Sequence, residues 1–350
     1  MHWFPLAREY RHLGPLWLAA FALATGAGRA PAQQEIVPPG ATARPLELVA
    51  FTEGPAWHPS GNVFFSDVTN NRILRLDPKG KLHVYRFPSG RANGLIFDHQ
   101  GRLVACEGGW EGGNRRVTRT EPDGTITVLA SHYQGKRLNS PNDLTIDRRG
   151  RIYFTDPRYG PRDDLEMTDS QGRIVEGVYR IDPDGTLTRI IAHEVVRPNG
   201  IAISLDQRWL YVVDNDNLTL QGNRKIWRFR LREDGSVDLK SQKAIFDFSP
   251  GRGGDGMAVD TQGRLYVAAG TILPTETTTT KFPAGIYILS PQGKQLGFIR
   301  VPEDMVTNCC FGGPDRRTLY ITAGHKLWSI RVNATGYIPG ASDKPTRLGF

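Results

Sequence analysis

The chain has 350 residues, a formal net charge of +8, and 39% hydrophobic against 23% charged residues, an ordinary composition for a folded protein. Thirty-nine Gly and 24 Pro make about 18% of the chain, against an average near 12%, and predict many tight turns. With no heptads, no collagen-like repeat, and no apolar run outside the N-terminus reaching the ~18 residues of a membrane span, the collagen, coiled-coil and polytopic membrane classes are excluded.

Arg8 and Arg11 precede an apolar stretch from about Leu13 to Ala24, and small residues then lead to Ala30-Pro31-Ala32. A basic start, a short apolar middle and an A-x-A site predict a secretory signal over residues 1–32, cleaved after Ala32. The expected location is therefore periplasmic or extracellular, with no membrane attachment after cleavage. Removing residues 1–32 takes away three Arg and one Glu and leaves a mature charge of +6. No basic cluster is interleaved with aromatics, so nucleic acid is not an expected partner.

Six segments of the remaining chain share one pattern: an oxygen-bearing residue, usually a Gly, an alternating apolar strand, a turn and a second apolar strand. They begin EGPAWHPSGNVFFSD at Glu53, NGLIFDHQGRLVACE at Asn93, NDLTIDRRGRIYFTD at Asn142, NGIAISLDQRWLYVVD at Asn199, DGMAVDTQGRLYVAA at Asp255 and NCCFGGPDRRTLYITA at Asn308. Each reads as a β-hairpin, and most are followed by a second pair of strands joined by D-P-x-G or E-P-D-G turns. Four strands per repeat and six repeats predict an all-β fold, a six-bladed β-propeller with four-stranded antiparallel blades. The last repeat is one strand short, and residues 46–51 are expected to supply its outer strand and close the ring. The organisation is then a signal at 1–32, a linker at 33–44, a propeller catalytic domain at 45–340 and a C-terminal tail at 341–350. Cys106, Cys309 and Cys310 form no C-x-x-C; a bridge from Cys106 to either of the others is conceivable after export, but small buried strand residues are the better reading.

In a propeller the first strand of each blade lines the central channel. Glu53, Asn93, Asn142, Asn199, Asp255 and Asn308 should therefore converge on the axis, and each carries a side-chain oxygen. Turn chemistry explains Asn and Asp at such places, but not Glu53. Two carboxylates with several carboxamides suit a hard divalent cation, above all one Ca²⁺ per chain. Asp67, Glu107, Asp156 and Asp214 end second strands at the same face, where they could orient the ligands or cap loop amides. The long insertions at 108–114, 157–176, 215–224 and 271–284 also emerge there, which marks it as the binding face. Trp110, Tyr159 and Met167 are candidates for covering a substrate, and His325 belongs to the same rim. No G-x-S-x-G or H-E-x-x-H occurs, and GRGGDG from Gly251 precedes a strand where a nucleotide fingerprint needs a helix.

The segments EGPAW, PND, PNGIAIS and GDGMAVD, in that order within six repeats, resemble the SMP-30/gluconolactonase/LRE-like family over about residues 45–333. NRRVTRTEPDG, GKRLNSPNDL and IYFTDPRYG look like its bacterial gluconolactonase branch. The resemblance implies metal ligation by Glu53, Asn142, Asn199 and Asp255, with Asp255 also the general base. It implies substrate contacts from Asn93 and Asn142, to which the rim reading adds Tyr159 and His325, and a supporting place for Asp143. One departure is Ser140, where senescence marker protein carries an Arg two residues before the matching Asn. The expected activity is hydrolysis of a small-molecule sugar lactone. A promiscuous aryl-ester or organophosphate hydrolase on the same site, or a ligand-binding propeller without catalysis, stands as the alternative.

Overall fold

The computed structural model describes residues 36–340, so the segments expected at 1–32 and 341–350 lie outside the described residues. Every assigned element is a β-strand, and the strands form six antiparallel blades in chain order. Blade one is Thr52–Trp57, Val63–Asp67, Arg72–Leu76 and Leu82–Arg86. Blade two is Ala92–Phe97, Leu103–Glu107, Arg116–Thr120 and Ile126–Ala130. Blade three is Leu144–Ile146, Ile152–Asp156, Gly177–Ile181 and Leu187–Ile191. Blade four is Pro198–Ile203, Trp209–Asp214, Lys225–Leu231 and Val237–Asp247. Blade five is Met257–Asp260, Leu265–Ala269, Gly285–Leu289 and Gln295–Arg300, and blade six starts with Val306–Gly312, Thr318–Ala323 and Lys326–Arg331.

The outer strand of blade six comes from the other end of the chain. Arg44–Leu48 pairs antiparallel with Lys326–Arg331, two residues earlier than the span read from the sequence. A further addition has no counterpart in the repeat: Gly336–Tyr337 pairs with the innermost strand of blade five, Val259 facing Tyr337 and Asp260 facing Gly336. The tail therefore reaches the channel.

Both faces of each blade are covered by its neighbours, so the second strands of blades one, two, three and five are buried along their whole length. The core is correspondingly divided into six apolar clusters, one for each blade-to-blade contact, including the contact of blade six with blade one. All three cysteines are free; Cys106 and Cys309 are fully within these clusters, and burial pushes both thiols up. That agrees with the buried-strand reading.

The turns between first and second strands reuse one device. Asp98, Asp147 and Asp260 each accept the backbone N–H of the second and fourth residue ahead, and each holds the side chain of the Arg at that fourth place. In blade one His58 stands there instead, and its Nδ1 accepts the Ser60 N–H at 3.1 Å. A carboxylate that satisfies several turn donors fixes the hairpin register, which in turn fixes where the first strand delivers its site residue.

Candidate active site

The six first strands bring their oxygen-bearing residues to the channel through local irregularities. Register shifts fall at Glu53/Ala56, Ala92/Leu95, Pro198/Ile201 and Val306/Asn308, so four blades bulge where the site residue sits. A bulge re-aims a side chain that regular pleating would send elsewhere. Neighbouring blades then join at this level: Gly94 N donates to Asn142 O at 2.7 Å, Gly200 N to Asp255 O at 3.1 Å, and Gly256 N to Thr307 O at 2.6 Å. The residue after the site residue must be small here. A Cβ on Gly200 would lie 2.1 Å from the Asp255 carbonyl oxygen.

Glu53, Asn142, Asn199 and Asp255 are all at most 6% exposed. Burial pushes the Glu53 carboxyl well up, and the charges of Asp255 and then Asp143 push it further. Asp143 is raised to about 7, first by burial, with Leu144 N–H and Asn308 pulling it back and Asp255 adding to the rise. Burial likewise raises Asp255, opposed by Arg252 and Asn199. Three buried carboxyl groups are thus electrostatically linked, though among the described residues no three His, Cys, Asp or Glu side chains converge closely enough to hold a metal by themselves, so Asn142 and Asn199 are needed in any ligand set. The nearest counter-charge is Arg252, whose Nη2 lies 2.5 Å from Asp255 Oδ2 while Nη1 donates to Val306 O at 2.9 Å.

Asn199 Nδ2 donates to the Tyr159 hydroxyl at 2.8 Å. Its amide hydrogens are thereby spent on Tyr159 and Asp255, which leaves Oδ1 as the end able to meet a cation. Asn93, half-buried, has an Oδ1 that is out of contact with solvent and accepts no hydrogen bond. Glu53, Asp143, Asp255, Asn199 and Tyr159 are therefore one electrostatically connected group.

The acids ending the second strands hold backbone amides. Asp67 accepts Phe51 N at 3.3 Å, Asp156 accepts Asn139 N and Ser140 N at 2.8 and 2.7 Å, and Asp214 accepts Val196 N and Arg197 N at 3.1 and 3.0 Å. Each held amide lies two or three residues before Glu53, Asn142 or Asn199. These acids cap loop amides, and by doing so set the path of the chain into the ring. Glu107 is different, because it gathers Arg86, Arg116, Asn114 and Thr118.

The rim residues divide. Tyr159 stands at the site and Trp110 is 52% exposed on its loop. Met167, expected to cover a substrate, is instead fully buried among Phe154, Val175 and Tyr179. Its loop closes on itself through the Thr168–Ile174 bridge and the Val175 N to Met167 O bond at 2.9 Å, and the Met167 side chain packs against blade three. His325 is exposed, and its ring Nδ1 meets the Ala50 carbonyl while its own carbonyl accepts Val49 N. Those partners belong to the segment that closes blade six. Sequence reasoning passed over Arg252, three residues before Asp255, and Arg197, two residues before Asn199. The one available signal was a cation at a short, fixed spacing ahead of a ring residue.

The chain is similar to known proteins over most of its length. A gluconolactonase of Zymomonas mobilis is 32% identical over 317 residues, covering 83% of this chain and 82% of its own. A 6-deoxy-6-sulfogluconolactonase of Pseudomonas putida is 28% identical, covering 78% and 83%. A solved Xanthomonas campestris structure, described as a gluconolactonase, matches with a TM-score of 0.72 at 31% identity, over 87% of this chain and 93% of that one. With residues 51–325 also matching the SMP-30/gluconolactonase/LRE-like region, the chain belongs to that family.

Proposed function

We propose that the chain is a metal-dependent lactone hydrolase that opens a sugar lactone of the gluconolactone kind. The observation that carries the reading is the buried, all-oxygen set of Glu53, Asn142, Asn199 and Asp255, with Asp143 beside it. Several carboxylates out of water need more counter-charge than Arg252 alone supplies, and a divalent cation fits that need. Oxygen donors without His or Cys suit Ca²⁺ best. When bound, the cation supplies Lewis-acid polarisation of the lactone carbonyl and stabilises the developing oxyanion.

The chain's own residues do the rest. Tyr159 fixes the Asn199 amide and leaves Oδ1 free, the atom through which Asn199 would hold the cation. Asn93, half-buried with its Oδ1 shut off from solvent, offers its amide Nδ2 to a sugar oxygen, and Asn142 adds a second contact. Asp255 accepts a proton from the attacking water as it adds to the carbonyl. The ring C–O bond then breaks, and the departing oxygen takes that proton to give the open hydroxy acid.

Asp255→Asn should lower kcat/KM for glucono-δ-lactone by at least about 10²-fold with an unchanged circular dichroism spectrum, the scale of general-base assistance. Dialysis against chelator should abolish turnover and added Ca²⁺ restore it. Glu53→Gln should weaken Ca²⁺ binding measured by calorimetry. Turnover indifferent to both chelator and Asp255→Asn would remove the reading. Export is part of the proposal and rests on the basic start, short apolar run and Ala30-Pro31-Ala32; mature protein recovered outside the cytoplasm should begin at Gln33.

A further inference from the structure

Six arginines among the described residues are at least nine-tenths buried: Arg115, Arg151, Arg158, Arg197, Arg224 and Arg252. A buried guanidinium is tolerated when its five N–H groups find acceptors. Five of the six each donate two or more direct side-chain hydrogen bonds. Arg158, for instance, donates to the carbonyls of Pro161 at 2.6 Å and Asn139 at 3.1 Å.

Arg197 is the exception. Its side chain is 7% exposed, yet among the described residues its guanidinium donates no hydrogen bond. Glu176 stands 3.5 Å from Nε and Asp216 stands 4.0 Å from Nη1, and Nε itself is buried without a partner. Glu176 is already engaged, by Arg158 N at 2.8 Å and Arg162 Nη2 at 2.5 Å.

The location gives this meaning. Arg197 precedes Asn199 by two residues, and its backbone N–H is held by Asp214 at 3.0 Å. Its guanidinium lies over the Tyr159 ring, 5.4 Å from the centroid, and the Tyr159 hydroxyl meets Asn199. A rigid, charged fork that makes only loose ion pairs with Glu176 and Asp216, and no hydrogen bond, is thereby fixed beside the ring. Forked N–H donors match the paired oxygens of a carboxylate, sulfonate or phosphate.

We propose that Arg197 determines specificity by binding an oxyanion that the lactone carries away from its scissile carbonyl, so that the substrate class is lactones of acidic sugars. The proposal rests on the lactone-hydrolase reading.

The test compares glucono-δ-lactone with matched lactones bearing a terminal carboxylate, a sulfonate or a phosphate, for the wild type, Arg197→Gln and Arg197→Lys. The wild type should favour at least one charged lactone by tenfold or more in kcat/KM, mainly through KM, and the member preferred identifies the substituent. In Arg197→Gln that preference should collapse toward one; Arg197→Lys, with charge but no fork, should fall between. A preference that is absent in the wild type, or unmoved in Arg197→Gln, would overturn the assignment. Calorimetry with glucarate, an unreactive sugar dicarboxylate, separates the two layers of the argument. If no lactone is turned over, the hydrolase reading fails, but glucarate binding lost in Arg197→Gln still supports the anion site. Glucarate bound equally by wild type and Arg197→Gln sinks it.

Discussion

His58 occupies the turn position that Asp98, Asp147 and Asp260 fill in other blades, and the exchange has a thermodynamic consequence. Its Nδ1 does the carboxylate's work by accepting Ser60 N–H, but Nε2 is buried without a partner and the ring packs on Phe97 at 4.8 Å between centroids. Burial lowers its pKa from 6.5 to about 4. Because the folded-state value lies below the unfolded one, the unfolded chain binds the extra proton between those two values. Stability is therefore full above about pH 6.5 and lost as pH falls toward 4, by at most about 3 kcal/mol. Asp143 and Asp156, both raised to about 7, work in the opposite sense over part of that range, so the His58 share must be isolated by variant. The stability difference between wild type and His58→Asn, from urea unfolding at pH 7 and pH 4.5, should shift toward the variant on acidification. A pH-independent difference would remove the buried neutral imidazole. At this scale the sequence was partly legible: Glu53, Asn142, Asn199 and Asp255 stand out by residue type and repeat position. Arg197 does not, because what distinguishes it is the lack of hydrogen-bond acceptors around a buried guanidinium, a property of packing.

Within a blade, a site residue is placed from two sides: a turn that fixes register and an acid at the end of the second strand that holds the incoming backbone. Asp214 shows the second most plainly, accepting Val196 N, Arg197 N and Trp227 Nε1 while fully buried. Asp214→Ala leaves the buried Arg197 amide unpaired and takes the acceptor from the part-buried Val196 N and Trp227 Nε1, and should cost about 1–3 kcal/mol, the scale of one buried unpaired donor. It should also weaken Ca²⁺ binding, because the held amides lead directly to Asn199. Asp214→Asn keeps an acceptor oxygen and should recover part of both losses. A wild-type urea midpoint in Asp214→Ala would show that the path into the ring is held by other contacts. The strand pairs and their turns were readable from alternation and from D-P-x-G signals. The bulges were not, because one added residue in a strand leaves the composition unchanged. Met167 was misplaced for a related reason: a position in an insertion says where the loop leaves the blade, and not that it folds back onto Phe154 and Tyr179.

The whole ring is closed at both ends of the chain, and the two closures differ in how visible they were. Counting strands exposed the shortage in blade six, so the contribution of Arg44–Leu48 was foreseeable, and Thr52 and Thr307 tie the same seam through Gly324 O and Thr52 O. Two residues, Gly336–Tyr337, are too short for any period to reveal, yet they carry the tail across the inside of the channel. From the inner strand of blade five the tail continues through Ile338 and Pro339 to Gly340, where an added Cβ would lie 2.1 Å from Phe97 O and 3.0 Å from Ile146. It thereby covers a cavity of about 80 Å³ whose walls include Asp143, Asn308, Cys309 and Cys310. On this geometry residues 337–339 form a floor along the inner strands, at the end of those strands away from the long loops. A chain ending at Asn333 should lose that floor while keeping all six blades, because among the described residues the only strand beyond Arg331 is the two-residue Gly336–Tyr337 added to blade five. The thiols report it. In the full chain Cys106 and Cys309 are buried and Cys310 half-buried, so reaction with a thiol reagent should be slow. In the shortened chain Cys309 and Cys310, on the cavity wall, should react faster by an order of magnitude or more. Cys106, between blades two and three, should stay slow until the chain unfolds. Equal acceleration at all three would mean that the tail supports the whole ring, and no acceleration at Cys309 or Cys310 would mean that it does not seal the channel.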